Sequence, residues 1–228
     1  MTSHCSPGTA SPSASSSSPP PISAGWTGRH PEDGLFVLLY LHGFKSSPQS
    51  AKAQQLKAIA EAQGVPFACP QLAVSAAETV GILEALIAAN GNAVTLVGSS
   101  LGGHYATWLA ERHGCKAVLV NPAVLAHLSL EPFLGPQTHY HSGEAFEFTQ
   151  RHIDELRALD LPAITRPERY WLLAEEGDEV LDYRHAVARY AGAKQTLLPG
   201  GDHSFTRWVD YLPQIIAFSR GAPEGGRG

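Results

Sequence analysis

The chain has 228 residues, a length that fits one compact domain, and its 43% hydrophobic content is sufficient for a large core. The formal net charge of -5, without any run of Lys or Arg, argues against nucleic acid and anionic lipid as partners. Three cysteines without a C-x-x-C pair argue against a disulfide framework, and the apolar runs fall far short of the roughly 20 residues that cross a bilayer.

The N-terminal segment 1–33 is dominated by Ser, Pro, Ala and Gly, including four serines at 15–18 followed by three prolines at 19–21. Such a composition buries too little apolar area to offset the entropy of ordering, so we predict a disordered tail. The segment lacks the basic and apolar regions of a secretory signal, which favours a cytoplasmic location. We predict one domain over 34–220 and a flexible C-terminus over 221–228.

After the tail, short apolar runs alternate with amphipathic stretches, which is typical of a parallel sheet flanked by helices. Six runs are predicted as strands: Leu35–Leu41, Val65–Cys69, Ala93–Val97, Ala117–Val120, Tyr170–Ala174 and Gln195–Leu198. Such a succession takes right-handed crossovers and collects functional groups at the carboxyl ends of the strands. We therefore predict an α/β protein with a mainly parallel, doubly wound sheet of six or more strands.

Two helices have recognisable start signals. Ser47 followed by Pro48 predicts an N-cap and a first helical residue, because proline is favoured at that position. Ser75 and Glu78 have the spacing of a capping box, in which each side chain bonds the backbone N–H of the other residue. The apolar residues of both predicted helices share one face, so we expect these faces to cover the sheet.

The segment Gly98–Gly102 follows the third predicted strand directly and matches G-x-S-x-G. A serine in a tight turn between strand and helix projects its hydroxyl outward, and the flanking glycines avoid clashes with neighbouring backbone. The helix that follows is predicted to end at Gly114. We predict Ser100 as a nucleophile; the alternative is that the segment is an ordinary helix start.

A serine nucleophile needs an imidazole base that a third group orients. We predict His203 as the base, because it lies in a loop after the last predicted strand and before a helical stretch. Asp178 follows a glycine just past the fifth strand and is the predicted acid. Asp182 is the alternative, but it directly precedes a helical segment and fits an N-cap. The order Ser100, Asp178, His203 is that of the α/β-hydrolase fold.

Two backbone amides are predicted to form an oxyanion hole. Leu101 begins the helix after the nucleophile, where N–H groups lack intrahelical acceptors and the helix dipole favours an anion. Phe44 lies in the loop after the first strand, which must provide the second amide. We expect His42 to orient that loop by hydrogen bonding.

Five stretches of the sequence together resemble the YqiA/YcfP-like esterases of the α/β-hydrolase superfamily: 40–47, 97–103, 120–122, 177–183 and 201–205. The resemblance covers about residues 36–219. It implies hydrolysis of carboxylic esters through an acyl-enzyme, with Ser100, Asp178 and His203 at the triad positions of the family. It also implies that the insertion at about 123–167 forms a small helical cap over the site.

We therefore expect a serine esterase that acts on a small-molecule carboxylic ester or thioester without a cofactor. The alternatives are an amidase or thioesterase that uses the same residues, and a binding protein that has kept the fold without catalysis. His139 and His141 have a spacing that can ligate a metal, but no companion Cys, His or Asp signature accompanies them, so no metal site is expected.

Overall fold

A computed structural model of the protein describes residues 36–90 and 93–221. The tail predicted over 1–33 lies outside these residues. So does the predicted flexible C-terminus, apart from Gly221, which caps the last helix. Within the described residues no helix is both long enough and apolar enough to span a membrane.

Strands and helices alternate along most of the described chain. The strands are β1 Val37–Leu41, β2 Phe67–Ala68, β3 Val94–Ser99, β4 Lys116–Val120, β5 Gly135–Thr138, β6 Ala145–Phe148, β7 Tyr170–Glu175 and β8 Lys194–Leu198. The α-helices are α1 Ala51–Ala62, α2 Ala76–Asn90, α3 Leu101–His113, α4 Ala126–Leu130, α5 Gln150–Arg157, α6 Tyr183–Arg189 and α7 Trp208–Arg220.

Six strands form one sheet in the order β2-β1-β3-β4-β7-β8, and every neighbouring pair is parallel. The six strands predicted from the sequence are therefore confirmed, although β2 is shorter than predicted. Leu41 pairs with Gly98, and Ser99 pairs with Val120, so β1, β3 and β4 end close to one level. Between β1 and β3 the winding of the sheet changes direction, and in such sheets this is where ligands bind.

The two faces of the sheet carry separate cores, because successive side chains of a strand point to opposite sides. In β1, Leu39 and Leu41 belong to the core beneath α2 and α3. Leu38 and Tyr40 belong to the core beneath α1 and α7. Both faces are covered, so the central strands are mostly apolar, as their sequences indicated, with buried polar residues such as Ser99 and Glu175 at their carboxyl ends.

The predicted start of α1 at Ser47 is wrong. Ser50 is the N-cap, and its hydroxyl accepts a hydrogen bond from the Ala53 N–H at 3.4 Å. The Ser47 hydroxyl instead accepts from the Gln49 N–H at 3.1 Å, inside a turn that precedes the helix. A serine that bonds the backbone two residues on closes a turn as readily as it caps a helix, which explains the misplacement.

The predicted capping box of α2 is half formed. The Ser75 hydroxyl accepts from the Glu78 N–H at 3.2 Å, as predicted. The Ser75 hydroxyl also donates to a carboxylate, but to that of Glu155 in α5, at 2.7 Å, and not to that of Glu78. A side chain from a distant helix thus joins the start of α2 to the insertion between β4 and β7.

That insertion contains α4, a short 3-10 helix at Glu131–Phe133, the antiparallel hairpin of β5 and β6, and α5. The sequence predicted a small helical cap here and not the hairpin. The hairpin lies next to the loop after β1, because the Tyr140 N–H donates to the Lys45 carbonyl at 2.9 Å.

Candidate active site

Ser100 lies at the junction of β3 and α3 in a backbone conformation that L residues rarely adopt, with φ 54° and ψ -120°. A Cβ added at Gly98 would overlap the Gly102 carbonyl, and one added at Gly102 would overlap the Leu41 carbonyl. The G-x-S-x-G segment therefore forms the sharp strand-turn-helix that its glycines predicted. The α3 helix ends at Gly114 in the left-handed conformation, also as predicted.

The structure brings Ser100, His203 and Asp178 together. His203 Nδ1 lies 2.9 Å from Asp178 Oδ2, and His203 Nε2 lies 3.0 Å from Ser100 Oγ. The carboxylate only accepts, so Nδ1 carries the proton and the serine hydroxyl donates to Nε2. The Asp178 side chain is 2% exposed, and its Oδ1 also accepts from the Val180 and Leu181 N–H groups at 2.9 Å and 2.8 Å.

Asp182, the alternative acid, faces a different partner. Its carboxylate caps α6 by accepting from the Arg184 N–H at 3.0 Å and pairs with the Arg184 guanidinium at 2.8 Å. The hydrogen bond from the Arg184 side chain, followed by that from its backbone, lowers the pKa of Asp182 to about 2. The predicted N-cap is therefore confirmed.

The two predicted oxyanion amides flank Ser100. Leu101 is the first residue of α3, where an N–H has no intrahelical acceptor. Phe44 follows Gly43, at which a Cβ would lie 3.4 Å from the Ser100 Cβ, so this loop passes close to the serine. Within the described residues the Phe44 N–H donates to no acceptor. Neither amide therefore has an acceptor among the described residues.

His42 holds the Phe44 loop as the sequence predicted. Its ring is 3% exposed, Nδ1–H donates to the Gly43 carbonyl at 2.9 Å, and Nε2 accepts from the Leu72 N–H at 3.1 Å. Burial lowers the pKa of His42 to about 4, with further lowering by His139 and His141, against the opposing effect of the Gly43 hydrogen bond. The ring is thus neutral near pH 7, which its accepting nitrogen requires.

The Phe44 side chain is held by the insertion through aromatic packing. Its ring centroid lies 5.6 Å from that of Phe133, 6.1 Å from that of Phe146 and 4.9 Å from that of Phe148, each in a tilted, edge-to-face arrangement. Sequence reasoning missed these contacts. The apolar-polar-apolar pattern of Phe-Glu-Phe at 146–148 was a local signal for the strand that carries two of the rings.

A cavity of about 600 Å³ opens beside Ser100 and His203. Its lining includes Lys52 at the start of α1 and several apolar side chains, namely Leu130, Phe133, Val180, Leu181 and Val209. Phe133, Val180 and Val209 are also among the exposed large hydrophobic residues. The mouth of the cavity is therefore an apolar rim that can cover part of a bound molecule.

The two histidines with metal-ligand spacing lie at the hairpin. The His139 ring packs on the Phe146 ring, with centroids 4.5 Å apart. Across the described part of the chain, no group of three or more His, Cys, Asp or Glu is arranged to hold a metal ion.

Residues 37–220 match the Uncharacterised protein family (UPF0227). The chain belongs to this family. It is the family of the YqiA/YcfP proteins, so the resemblance drawn from the sequence motifs is confirmed. The matched range includes all eight strands and all seven α-helices of the described residues.

Solved structures of several proteins are similar to this UPF0227 chain. A protein of Agrobacterium vitis with a provisional hydrolase name has a TM-score of 0.67 and 21% identity, over 83% of this chain and 89% of that one. The alpha/beta hydrolase domain-containing protein 10 from mouse has a TM-score of 0.63 and 16% identity, over 79% and 88%. Est1E from Butyrivibrio proteoclasticus has a TM-score of 0.59 and 14% identity, over 81% and 86%. This likeness shows the α/β-hydrolase fold, as predicted.

Proposed function

We propose that the protein is a serine hydrolase that cleaves carboxylic esters through an acyl-enzyme formed on Ser100. The observation that carries the proposal is the chain of hydrogen-bond distances from Ser100 Oγ to His203 Nε2, 3.0 Å, and from His203 Nδ1 to Asp178, 2.9 Å. This is the geometry in which an imidazole activates a hydroxyl and a carboxylate fixes its tautomer.

In the proposed reaction, Ser100 Oγ attacks the ester carbonyl while His203 Nε2 takes its proton. The oxyanion that forms accepts hydrogen bonds from the Phe44 and Leu101 amides. His203 then gives the proton to the departing alkoxide, so an alcohol leaves and the acyl group stays on Ser100. A water molecule repeats the sequence, with His203 again as base, and releases the carboxylic acid.

The cavity supports an ester with a sizeable apolar part. Its volume of about 600 Å³ is within the range of small-molecule sites, and its apolar wall begins beside Ser100. We infer that the apolar part of the substrate packs on Leu130, Phe133 and Val180. We infer that the polar residues at the start of α1, including Lys52, contact the more polar part of the molecule.

Labelling with a fluorophosphonate tests the nucleophile. We expect one adduct, on Ser100, because an imidazole-activated hydroxyl attacks phosphorus far faster than other hydroxyls do. Ser100→Ala should abolish labelling, while Ser99→Ala, which removes the neighbouring hydroxyl, should retain it. An adduct elsewhere would overturn the assignment of Ser100, and the absence of any adduct would favour a binding protein that lacks turnover.

Turnover of matched substrates tests the ester preference. An aryl ester, the corresponding thioester and the corresponding anilide of one acyl group should be compared by kcat/KM. We expect the ester to be hydrolysed fastest and the anilide slowest. A labelled enzyme that prefers the anilide would retain the serine mechanism but contradict the ester assignment.

A further inference from the structure

The segment Val120–Ala123, directly after β4, holds the main chain of the nucleophile. The Ser100 N–H donates to the Val120 carbonyl at 3.0 Å. The Ala123 N–H donates to the Ser100 carbonyl, also at 3.0 Å. Both backbone groups of Ser100 are thus tied to one short segment, whose own position the β4–β7 pairing determines.

The side chain of Asn121, in the same segment, holds the main chain of the base. Its Nδ2 donates to the Asp202 carbonyl at 3.0 Å and to the His203 carbonyl at 3.2 Å. Its Oδ1 accepts from the Glu175 N–H at 2.9 Å. Asn121 is 3% exposed and has φ 40°, in the left-handed region that Asn adopts more readily than most residues.

Glu175, at the end of β7, holds the same loop from a second direction. It is 0% exposed, its Oε2 accepts from the Asp202 N–H at 2.8 Å, and its Oε1 accepts from Arg207 Nε at 2.8 Å. A Cβ added at Gly201 would overlap its carboxylate, so the loop lies directly on it. The exposed Glu179 adds a third contact, because its Oε2 accepts from the His203 N–H at 3.0 Å.

We propose that Asn121 is a positioning residue that sets the separation of Ser100 and His203, with Glu175 as its partner. The proposal rests on the proposed function. Proton transfer requires donor and acceptor within about 2.6–3.2 Å, and a misplacement of about 1 Å can cost about 10²-fold in rate. Asn121 meets this requirement because its backbone segment bonds Ser100 while its side chain bonds the His203 carbonyl.

The test variant is Asn121→Asp, which keeps the size, the accepting oxygen and the tolerance of positive φ. It loses the NH2 group and turns a carboxylate oxygen toward the Asp202 and His203 carbonyls. We expect kcat for an aryl ester to fall by about 10²-fold with little change in KM. The rate of fluorophosphonate labelling at Ser100 should fall by a similar factor.

The control variant is Tyr190→Phe, which removes another buried hydrogen bond. The Tyr190 hydroxyl lies 2.7 Å from Thr107 Oγ1 and joins the end of α6 to α3. We expect this variant to lose stability but to keep the wild-type kcat. Comparison of the two variants therefore distinguishes a general loss of stability from misplacement of His203. If Asn121→Asp behaves like Tyr190→Phe in both measurements, the proposal is wrong.

Two further variants compare the kcat loss caused by a buried contact with that caused by an exposed one. They also test the proposal if Asn121→Asp does not fold. Glu175→Gln keeps the size of the side chain but replaces one of two accepting oxygens, so we expect about a tenfold loss of kcat. Glu179→Ala removes an exposed contact with which water competes, so we expect a loss of about twofold or less. A folded Glu175→Gln with wild-type kcat would contradict the partnership.

A spectroscopic measurement separates this proposal from the proposed function. The proton on His203 Nδ1, bonded to the Asp178 carboxylate, should give a downfield NMR resonance in the wild-type protein. Asn121→Asp should shift or broaden it, and Tyr190→Phe should leave it unchanged. If the wild-type protein hydrolyses no ester and takes no label, the proposed function fails, while this resonance still shows whether Asn121 positions His203.

Discussion

The two sides of Ser100 are held by different kinds of interaction. On one side, the His203 loop is fixed by hydrogen bonds from buried polar side chains to its main chain. On the other side, the Phe44 loop is fixed by the two hydrogen bonds of His42 and by aromatic packing of Phe44 against the insertion. Hydrogen bonds are directional and lose strength steeply with angle, whereas apolar burial is not directional.

This difference matches what each side has to do in the proposed reaction. A general base must lie within hydrogen-bond reach of the serine in every turnover, so a directional scaffold suits His203. The Phe44 amide meets a carbonyl oxygen that arrives with the substrate, so its loop has to hold the amide in position for that oxygen. Substitutions on the two sides should therefore differ in how they change activity and stability.

The largest effect is expected at Asp178, on the hydrogen-bonded side. Asp178→Asn should lower kcat by up to about 10⁴-fold, the loss found for this change in a serine protease, because the amide favours the wrong imidazole tautomer. Asp182→Asn is the matched control and should be nearly silent, because Asn caps a helix about as well as Asp. An inactive Asp182→Asn beside an active Asp178→Asn would reverse the assignment.

The next effect is expected at Phe148, on the packed side. This ring is 2% exposed and lies closest to Phe44, so Phe148→Ala should cost about 3–5 kcal/mol of unfolding free energy. We expect kcat/KM to fall by about tenfold, less than the 10²–10³-fold that follows loss of a whole oxyanion donor. Denaturant unfolding and ester kinetics measure the two effects.

Leu83→Ala is the control for Phe148→Ala. Leu83 is fully buried in α2, away from the cavity lining, and its truncation should cost a comparable 2–5 kcal/mol. We expect its kcat/KM to stay at the wild-type value. Equal kinetic losses in both variants would show that the aromatic cluster contributes stability alone.

The dependence of stability on pH should also separate the two sides. His42 has a folded pKa of about 4 against an ordinary 6.5, so the unfolded chain binds a proton first as the pH falls. Its contribution to stability is therefore lost between pH 6.5 and 4, by about 3 kcal/mol in all. Unfolding free energies of the wild type and His42→Gln, measured across this window, should converge as the pH falls.

Glu175 should lose its contribution in a lower window. Burial acts to raise the pKa of Glu175, but hydrogen bonds from the Asp202 N–H and from Arg207 outweigh it, so the folded pKa lies below the ordinary 4.5. Its contribution is present above pH 4.5 and is lost as the pH falls through the folded pKa. Stability of Glu175→Gln that falls as steeply as that of the wild type below pH 4.5 would contradict this.

The smallest effect is expected at Lys45, the polar attachment of the hairpin. Its ammonium donates to Gln137 Oε1 at 3.0 Å and lies 4.9 Å from the centroid of the Tyr140 ring. Because Lys45 and Gln137 are only partly buried and the Tyr140 ring is exposed, Lys45→Gln should change the unfolding free energy by about 0.5 kcal/mol or less. A change as large as that of Phe148→Ala would show that polar contacts hold the hairpin.

The sequence by itself determined the features that depend on a few neighbouring residues. The apolar runs predicted all six strands of the sheet, and Gly98–Gly102 predicted the turn that carries Ser100. Asp182 as an N-cap and His42 as the residue that orients its loop were predicted correctly for the same reason. Strand periodicity, turn sterics and helix capping act over only a few residues.

Apart from the predicted meeting of Ser100, Asp178 and His203, the tertiary structure decided which distant residues meet. Asn121 reaches a carbonyl 81 positions later, and Ser75 bonds a carboxylate 80 positions later. The aromatic cluster around Phe44 likewise depends on neighbours that chain order does not reveal. Such contacts follow from the order and register of the strands, which bring the ends of β3, β4 and β7 to one edge of the sheet.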